Sequence, residues 1–350
     1  MIVSSSSGLR LHKNSVCHVL DRDEQPEQLC HVIGHDGGEW WRVRGWDPTT
    51  FASDGNERVV PESALQLCFS LLPYSVGKVK RYQKIAFESE QGACGRGLIA
   101  TQDIKAKVPI FEEPPFLVTH ESRASRFETL RARWLSYKAL CARTAKETPE
   151  DGPFSLALKA FEDLDTSNPP DGVLEAAREI AAHEATHFAE VQSVLMRFAT
   201  NQHGWHSGAE ACPPAFAATA LYPFSSRANH SCAPSMLLCL KEDLCKLYGR
   251  PFDVQQEGGT IVFTALRDIR AGERLTYTYS QEAAALVGVP GRSRPVRERR
   301  AILQRVSGFT CRCERCEAEA ETADGSSLDA VACELAGLRV EETAPAGEPR

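Results

Sequence analysis

The most restrictive feature of this sequence is a nine-residue polar run at 227–235, which reads RANHSCAPS. It places Asn, His, Ser and Cys side by side in a chain in which 42% of the residues are hydrophobic. Burying such a run is unfavourable unless each polar group finds a hydrogen-bond partner. The run therefore predicts a functional site. The alternative interpretation is a turn ended by Pro234, in which Asn and Ser side chains bond their own backbone.

Length and composition restrict the class of protein. A chain of 350 residues, 25% of them charged, is an ordinary globular protein of one large domain or two modest ones. Its net charge of −7 argues against direct nucleic-acid binding. No stretch reaches the roughly 18 apolar residues that span a bilayer, and the N-terminus lacks a secretion-signal pattern. The 13 cysteines are therefore expected to be reduced thiols and metal ligands inside the cell, in nucleus or cytosol.

Three further motifs accompany the polar run. Upstream lies Gly95-Arg96-Gly97, and downstream lie GERLTYTY at 272–279 and CRCERC at 311–316. In this order the four motifs resemble those of the SET-domain methyltransferases, and most closely the SET-and-MYND subgroup and its fungal relatives. In that subgroup NHSCxPN, GExLTxxY and CxCxxC follow one another. The resemblance covers about residues 77–317.

The resemblance implies an α+β, mainly β fold: short sheets with a pseudoknot, a helical insert and a zinc-bound post-SET segment. The predicted segments are a small β-rich N-terminal module (1–76), the first SET part (77–118), the helical insert (119–205), the second SET part (206–290), the post-SET segment (291–317) and a mostly disordered tail (318–350). Cys141 is the only cysteine between Cys94 and Cys212, so the MYND zinc module is absent.

Several elements can be predicted within these segments. The N-terminal module faintly resembles part of an SH3-like barrel, and its paired Trp40 and Trp41 serve either the core or peptide binding. In the insert, the apolar spacing predicts one long helix from Val173 to about Phe198. The basic residues of 291–305 are expected to form the solvated face of another helix.

One hairpin design occurs twice in the sequence. The phrase around Asp103-Ile104-Lys105-Ala106-Lys107 is repeated around Asp268-Ile269-Arg270-Ala271-Gly272. Glycine adopts a positive φ without steric cost, whereas Lys107 takes the same place in the first copy. The first turn is therefore predicted to be the more strained one.

Three clustered cysteines predict a structural zinc site. Cys311, Cys313 and Cys316 supply three thiolates, and tetrahedral zinc requires four ligands. The resemblance implies that Cys232 is the fourth, which would hold the C-terminal segment against the loop of Asn229 and His230. Arg312 and Arg315, beside the cysteines, are expected to offset the thiolate charge. Free thiols remain the alternative.

The resemblance also implies a site for S-adenosylmethionine. The second glycine of the Gly-x-Gly turn allows close backbone approach. Phe309 would stack on adenine or, alternatively, pack the zinc loop, and Asn201 matches an earlier cofactor asparagine or ends a helix. The implied cofactor residues are Gly95, Arg96, Gly97, Asn201, Asn229, His230 and Phe309.

Methyl transfer to a protein lysine needs in-line alignment and a neutral amine, which an apolar channel and the sulfonium favour. Tyr279, the last tyrosine of GExLTxxY, would orient the amine or the cofactor together with Tyr277; the alternative is that both rings only pack. The chain departs from the pattern at Ser235, where relatives carry asparagine, and at Ser307, where they carry a second channel tyrosine. The oligomeric state is not predicted.

The sequence also allows two other functions. The departures allow a catalytically silent SET scaffold that binds a protein partner. Separately, His183-Glu184-Ala185-Thr186-His187 matches HExxH, which on a helix would place two imidazoles on one face, as in a zinc metalloprotease. A pair of histidines on a helix surface is the other interpretation of that motif.

Overall fold

The computed structural model describes residues 15–20, 26–37, 40–47, 52–61, 65–71, 79–88, 97–120, 125–147, 152–164, 166, 172–205, 218–252, 257–279 and 294–320. The predicted disordered tail falls outside these ranges, except for 318–320. Among the described residues, none of the helices combines the length and the apolar character needed to cross a membrane.

Short strands dominate the described part of the chain. In chain order they are β1 (Ser15–Leu20), β2 (Pro26–Gly37), β3 (Trp40–Asp47), β4 (Ala52–Pro61), β5 (Leu65–Leu71), β6 (Lys80–Arg81), β7 (Ile85–Glu88), β8 (Gly97–Ala100), β9 (Pro109–Glu113), β10 (Leu117–His120), β11 (Gln202–Trp205), β12 (Ala218–Leu221), β13 (Asn229–His230), β14 (Met236–Leu240), β15 (Ile261–Ala265) and β16 (Arg274–Tyr277).

The largest sheet joins the N-terminal strands to the rest of the molecule. Its order is β11-β12-β10-β5-β1-β2-β3-β4, and β5 pairs with β10 through Leu71 and Leu117. Trp46 and Phe69 from these strands share a core with Trp134 of the helical insert. Trp41 packs against a small cluster between the N-terminal strands, whereas Trp40 is 49% exposed.

Two four-stranded sheets carry three of the motifs found in the sequence. Their orders are β13-β16-β8-β7 and β14-β15-β9-β6. All their pairings are antiparallel except that of β13 with β16, which is parallel. The parallel pair is the one that contains the NHSC and GExLTxxY segments, so the fold itself brings these two motifs together.

The two hairpin copies face each other in the structure. Ile104 and Ile269 exchange two backbone hydrogen bonds of 2.8 Å. Asp103 accepts a hydrogen bond from the backbone N–H of Ala271, and Asp268 accepts one from Ala106, each at 2.9 Å. The φ angles are 66° at Lys107 and 82° at Gly272. The prediction of a left-handed lysine in the first turn is therefore confirmed.

The helices belong mainly to the insert. They are α1 (Arg126–Thr144), α2 (Pro153–Glu162), α3 (Val173–His183), α4 (Phe188–Asn201), α5 (Lys241–Leu247), α6 (Val296–Ser307) and α7 (314–320). Ser125 begins α1 by accepting a hydrogen bond from the backbone N–H of Glu128, a standard N-cap.

The prediction of one helix from Val173 to Phe198 is wrong. Helix α3 ends at His183, Ala185 adopts a φ of 48°, and α4 begins only after His187. Two helices can thereby pack against each other and against α1 instead of extending past the core.

The same break removes the metalloprotease geometry, so the prediction that the HExxH imidazoles share one helix face is also wrong. His183 and His187 flank the break. Oε1 of Glu184 accepts hydrogen bonds from Arg131 at 2.6 Å and from His183 at 3.0 Å, so one oxygen of this carboxylate is engaged by side chains of the protein itself. The described residues place no metal-binding group there.

Candidate functional site

A buried carboxylate holds the segment that leads into the NHSC motif. Glu113 is fully buried and accepts hydrogen bonds from the backbone N–H groups of Phe224 and Ser225, at 2.9 and 2.7 Å. A single 3₁₀ turn, Ser225–Arg227, follows, and the chain then enters β13. In β13, Asn229 lies beside Thr276 and His230 beside Tyr277.

Ser235, the first departure from the family pattern, is fully buried and hydrogen-bonded. Its hydroxyl accepts a hydrogen bond from the backbone N–H of Thr276 at 2.9 Å and lies 3.2 Å from the carbonyl of Arg274. Its own N–H donates to the carbonyl of Thr276 at 3.0 Å. The serine therefore fixes the polar run against β16, and this departure leaves no unsatisfied group.

Tyr279 is joined to the polar run by two hydrogen bonds. Its backbone N–H donates to Nδ1 of His230 and its hydroxyl donates to the carbonyl of Ala228, both at 3.0 Å. The rings of Tyr279, His230 and Phe309 lie edge to face, with centroids 5.3 to 6.0 Å apart. Three residues that the sequence analysis assigned to one site thus form one aromatic cluster.

Tyr277 is deeper than Tyr279 and has a partner that the sequence analysis missed. Its hydroxyl lies 2.8 Å from Nε2 of His203, and the two rings stack at 15°. Burial raises the pKa of Tyr277 well above its usual value and lowers the pKa of His203 to about 4. Both groups are therefore uncharged at neutral pH, so this end of the cluster is apolar but hydrogen-bonded.

Gly97 is the last residue of the glycine turn and begins β8, whereas Gly95 and Arg96 lie outside the described residues. A Cβ on Gly97 would lie 3.0 Å from Nδ2 of Asn229 and 3.0 Å from Oε2 of Glu88. A Cβ at that spacing would be accommodated only if the Asn229 amide and the Glu88 carboxylate each moved by a few tenths of an ångström. Oε2 of Glu88 is buried and has no hydrogen-bond partner among the described residues, whereas Oε1 accepts hydrogen bonds from Arg274 at 2.7 and 3.0 Å.

These features fit a cationic cofactor that carries hydrogen-bond donors. A buried carboxylate oxygen needs a donor, and an ammonium or a ribose hydroxyl supplies one. Asn229 offers an amide beside it, and the missing Cβ of Gly97 lets both of these side chains lie close to the backbone there. The residues present are therefore chemically suited to S-adenosylmethionine.

Asn201 lies at the end of α4 and is buried. Its Nδ2 donates to the carbonyl of Arg197 at 2.8 Å, and its own carbonyl accepts a hydrogen bond from Ser226 at 3.3 Å. The first bond agrees with the alternative interpretation of Asn201, that it ends a helix. The second bond connects α4 to the turn before the polar run.

The four predicted zinc ligands come together. The sulfur atoms of Cys232, Cys311, Cys313 and Cys316 all lie within 4.8 Å of one another. The Sγ atom of Cys232 is 3.9 Å from that of Cys311 and 3.6 Å from that of Cys316. A tetrahedron with Zn–S bonds of ~2.3 Å has edges of ~3.8 Å. This cluster can therefore hold one zinc ion.

Charge compensation at the cluster comes from a different arginine than expected. Arg312 is exposed, and Arg315 donates to the carbonyl of Cys232 at 3.2 Å. Arg299 of α6 is fully buried, and its Nη2 donates to the sulfur of Cys316 at 3.4 Å. The prediction that this basic helix presents only a solvated face is wrong for Arg299, because the helix packs over the cysteines.

Hydrogen bonding also changes the pKa of Cys313, one of the four thiols. The pKa of Cys313 lies well below its usual value, because the side chains of Cys232 and Cys311 hydrogen-bond its sulfur. His230 lies beside this cluster, with Nε2 at 3.3 Å from the sulfur of Cys232, and burial lowers its pKa to about 4.

Sequence reasoning missed three residues of this region: Glu88, His203 and Arg299. Nothing in their local sequence marks them, because each reaches the site from an element outside the four motifs. Ser307, the second departure, ends α6 and is half-buried, two residues before Phe309.

The SET domain family model matches residues 95–280, more than half of the chain. The chain belongs to the SET domain family. The sheets, the insert and the neighbouring NHSC and GExLTxxY segments described above are those of a SET-domain fold. No curated protein matches the sequence.

The chain is similar to several solved structures at 14% sequence identity. These include the SET domain of LSMT bound to lysine and AdoHcy (TM-score 0.34; 68% of this chain, 55% of that chain), Rubisco LSMT bound to AdoMet (0.37; 68% and 54%) and Rubisco LSMT bound to sinefungin and monomethyllysine (0.35; 68% and 54%). The chain thus spans just over half the length of each of these proteins.

Proposed function

We propose that this protein transfers a methyl group from S-adenosylmethionine to a lysine of a protein substrate. The observation that carries the proposal is the position of Tyr279, which donates hydrogen bonds to Ala228 and His230, the two neighbours of Asn229, and packs against Phe309. Membership of the SET family and the presence of lysine or AdoMet in the similar solved structures support it.

The cofactor residues proposed from the sequence divide by role. Gly97, which lacks a Cβ, lets the Asn229 amide lie against its backbone, and both are assigned to cofactor binding. Phe309 provides an aromatic face for the adenine, next to His230. We further propose that Glu88 accepts a hydrogen bond from the bound cofactor, since its buried Oε2 has no partner in the part of the chain that the structure describes. S-adenosylmethionine supplies an electrophilic methyl group, and these residues orient it.

The aromatic residues serve the lysine side of the site. An amine surrounded by Tyr277, Tyr279 and His203 is removed from water, which lowers its pKa and favours the nucleophilic neutral form. The hydroxyl of Tyr279 donates to Ala228, and a phenolic oxygen that donates can also accept a hydrogen bond, here from the amine. Tyr279 therefore orients the amine for in-line attack.

The finer assignment is to the SET-and-MYND subgroup and its fungal relatives, without the MYND finger. It is supported by the order of the motifs and by the CxCxxC segment, whose cysteines meet Cys232 in one cluster. We also propose an intracellular location, because a four-thiol zinc site requires reduced cysteines.

A silent SET scaffold that binds a protein partner is the second candidate. Ser307 favours it, because a small side chain stands where relatives have the second channel tyrosine. Ser235 does not favour it, since its hydrogen bonds keep β16 in place.

Transfer of labelled methyl groups tests the proposal. Zinc-loaded protein would be incubated with methyl-labelled S-adenosylmethionine and a cell extract, and labelled lysine would be measured after hydrolysis. Tyr279→Phe is expected to reduce labelling by at least ~100-fold with nearly unchanged cofactor binding. Tyr248→Phe, at a tyrosine that is 67% exposed, is the matched control. Equal turnover by wild type and Tyr279→Phe would contradict the role of Tyr279, and binding without any transfer would support the scaffold.

A further inference from the structure

The guanidinium of Arg299 occupies a place in which a positive charge is rarely found. The residue is 0% exposed, and an unpaired buried charge is strongly unfavourable. Its Nη1 donates to Glu319 at 2.8 Å and to the carbonyl of Arg294 at 2.5 Å, while its Nη2 points at the sulfur of Cys316. One face of this side chain thus meets a carboxylate and the other meets the cysteine cluster.

The cysteine cluster has a matching requirement. Four thiolates on one divalent zinc leave a net charge of about −2. Here three of the four cysteines are buried, so water solvates that charge poorly. Residues that hydrogen-bond the ligands of a metal orient them and tune their basicity. Several described groups contact the four sulfur atoms, and the only cationic nitrogen among them belongs to Arg299.

A second basic residue extends the same arrangement. Arg315 donates to Glu319 at 2.6 Å and to the carbonyl of Cys232 at 3.2 Å. Glu319 therefore links Arg299 of α6 to Arg315 of α7. Both helices adjoin the cysteine cluster, since Leu303 of α6 packs against it and Cys316 belongs to α7. The neighbouring Arg300 differs, because it donates to the carbonyls of Cys311 and Cys316 and makes no described contact with sulfur.

We propose that Arg299 is a positioning residue that controls how firmly the four cysteines retain zinc, by donating a hydrogen bond to the Cys316 thiolate and compensating the charge of the cluster. Glu319 holds the guanidinium in this orientation. The inference rests on the proposed zinc site and is independent of methyl transfer. A loss of zinc would also affect the cofactor site, because Phe309 packs against the same cluster and lies beside His230.

Zinc release to a colourimetric chelator tests this inference. Arg299→Met is expected to release zinc ~10–100-fold faster, the usual effect of removing a residue that supports a metal ligand. Arg299→Lys, which keeps the charge but loses the planar fork, is expected to be intermediate. Arg297→Met, at an exposed position of the same helix, is the matched control and is expected to behave like wild type.

Cobalt substitution separates a direct effect on sulfur from a loss of structure. A hydrogen bond to a thiolate stabilises its lone pairs, so Arg299→Met is expected to shift the thiolate-to-cobalt charge-transfer band to longer wavelength. Arg300→Met removes contacts to the backbone beside the cysteines and is expected to leave the band in place. Glu319→Gln, which leaves the guanidinium present, is expected to have a smaller effect on zinc release than Arg299→Met.

The outcomes distinguish the inference from the zinc site itself. Wild-type protein without a bound zinc would overturn both. Zinc in the wild type with equal release from Arg299→Met and Arg297→Met, or an unshifted cobalt band, would overturn the role of Arg299 alone.

Discussion

The backbone N–H of Tyr279 donates a hydrogen bond of 3.0 Å to Nδ1 of His230. This bond joins the end of the GExLTxxY segment to the side chain of the NHSC segment, so the position of the proposed catalytic tyrosine depends on the histidine. Replacing that histidine therefore affects two parts of the site at once.

Two substitutions at His230 test this dependence. Asparagine can present an acceptor oxygen near the place of Nδ1, whereas alanine leaves the N–H of Tyr279 without its partner. We expect His230→Ala to be less stable than His230→Asn by up to about 1–3 kcal/mol, the cost of leaving this part-buried donor unpaired. Chemical denaturation measures the difference. Equal stability of the two variants would show that the bond contributes nothing.

His203 predicts a loss of stability in acid. Burial lowers its pKa from 6.5 to about 4 in the folded protein. Above pH ~6.5 the ring is neutral in both states, and this group adds no pH dependence. Between pH ~6.5 and ~4 the unfolded chain binds the proton that the folded protein excludes, so stability falls with falling pH by up to ~1.4 kcal/mol per pH unit.

The comparison variant for this effect is His203→Phe, which keeps an aromatic ring against Tyr277 but cannot titrate. Unfolding free energies measured from pH 7 to pH 4 are expected to fall less steeply in the variant than in the wild type. Parallel curves would mean that other groups determine the acid response.

The two hairpin copies predict opposite effects of substitution. Lys107 has a φ of 66°, where a side chain is strained, so Lys107→Gly is expected to raise the free energy of unfolding by up to ~1 kcal/mol. Gly272 has a φ of 82°, and a Cβ added there would meet no atom within 4 Å, so Gly272→Ala is expected to lower it through backbone strain alone. Thermal unfolding checks both, and a Lys107→Gly protein less stable than wild type would count against the strain.

The four-cysteine cluster predicts one zinc per chain. Cys316 is fully buried among the other sulfurs, so Cys316→Ser is expected to lose the metal and to lower stability, because metal binding contributes directly to folding. Cys239→Ser, at a half-buried cysteine outside the cluster, is expected to keep its zinc. Elemental analysis of the purified proteins makes the comparison. Full zinc content in Cys316→Ser would contradict the assignment.

The sequence predicted the parts of the site that are encoded in contiguous motifs. Asn229, His230, Tyr279 and the cysteines carry distinctive side chains at defined spacings, and the parallel pairing of β13 with β16 brings them together. The strained turn at Lys107 was predictable because its glycine counterpart is present in the same chain.

The remaining features depend on tertiary contacts that no local pattern reveals. The break after His183 has no glycine or proline to signal it, and Arg131 stabilises it from another helix. Arg299 resembles its exposed neighbours in sequence and is buried only because α6 covers the cysteines. The sheet that continues from β5 to β10 likewise pairs residues far apart in the chain.

The cofactor site is the central claim, and calorimetric titration of S-adenosylmethionine into the zinc-loaded protein tests it most directly. Asn229→Ala removes the amide that lies beside Gly97, and Asn56→Ala, at an exposed residue of β4, is the control. We predict saturable binding at one site in the wild type and in Asn56→Ala, and its loss in Asn229→Ala. A well-folded wild-type protein that binds no S-adenosylmethionine would contradict the proposed function.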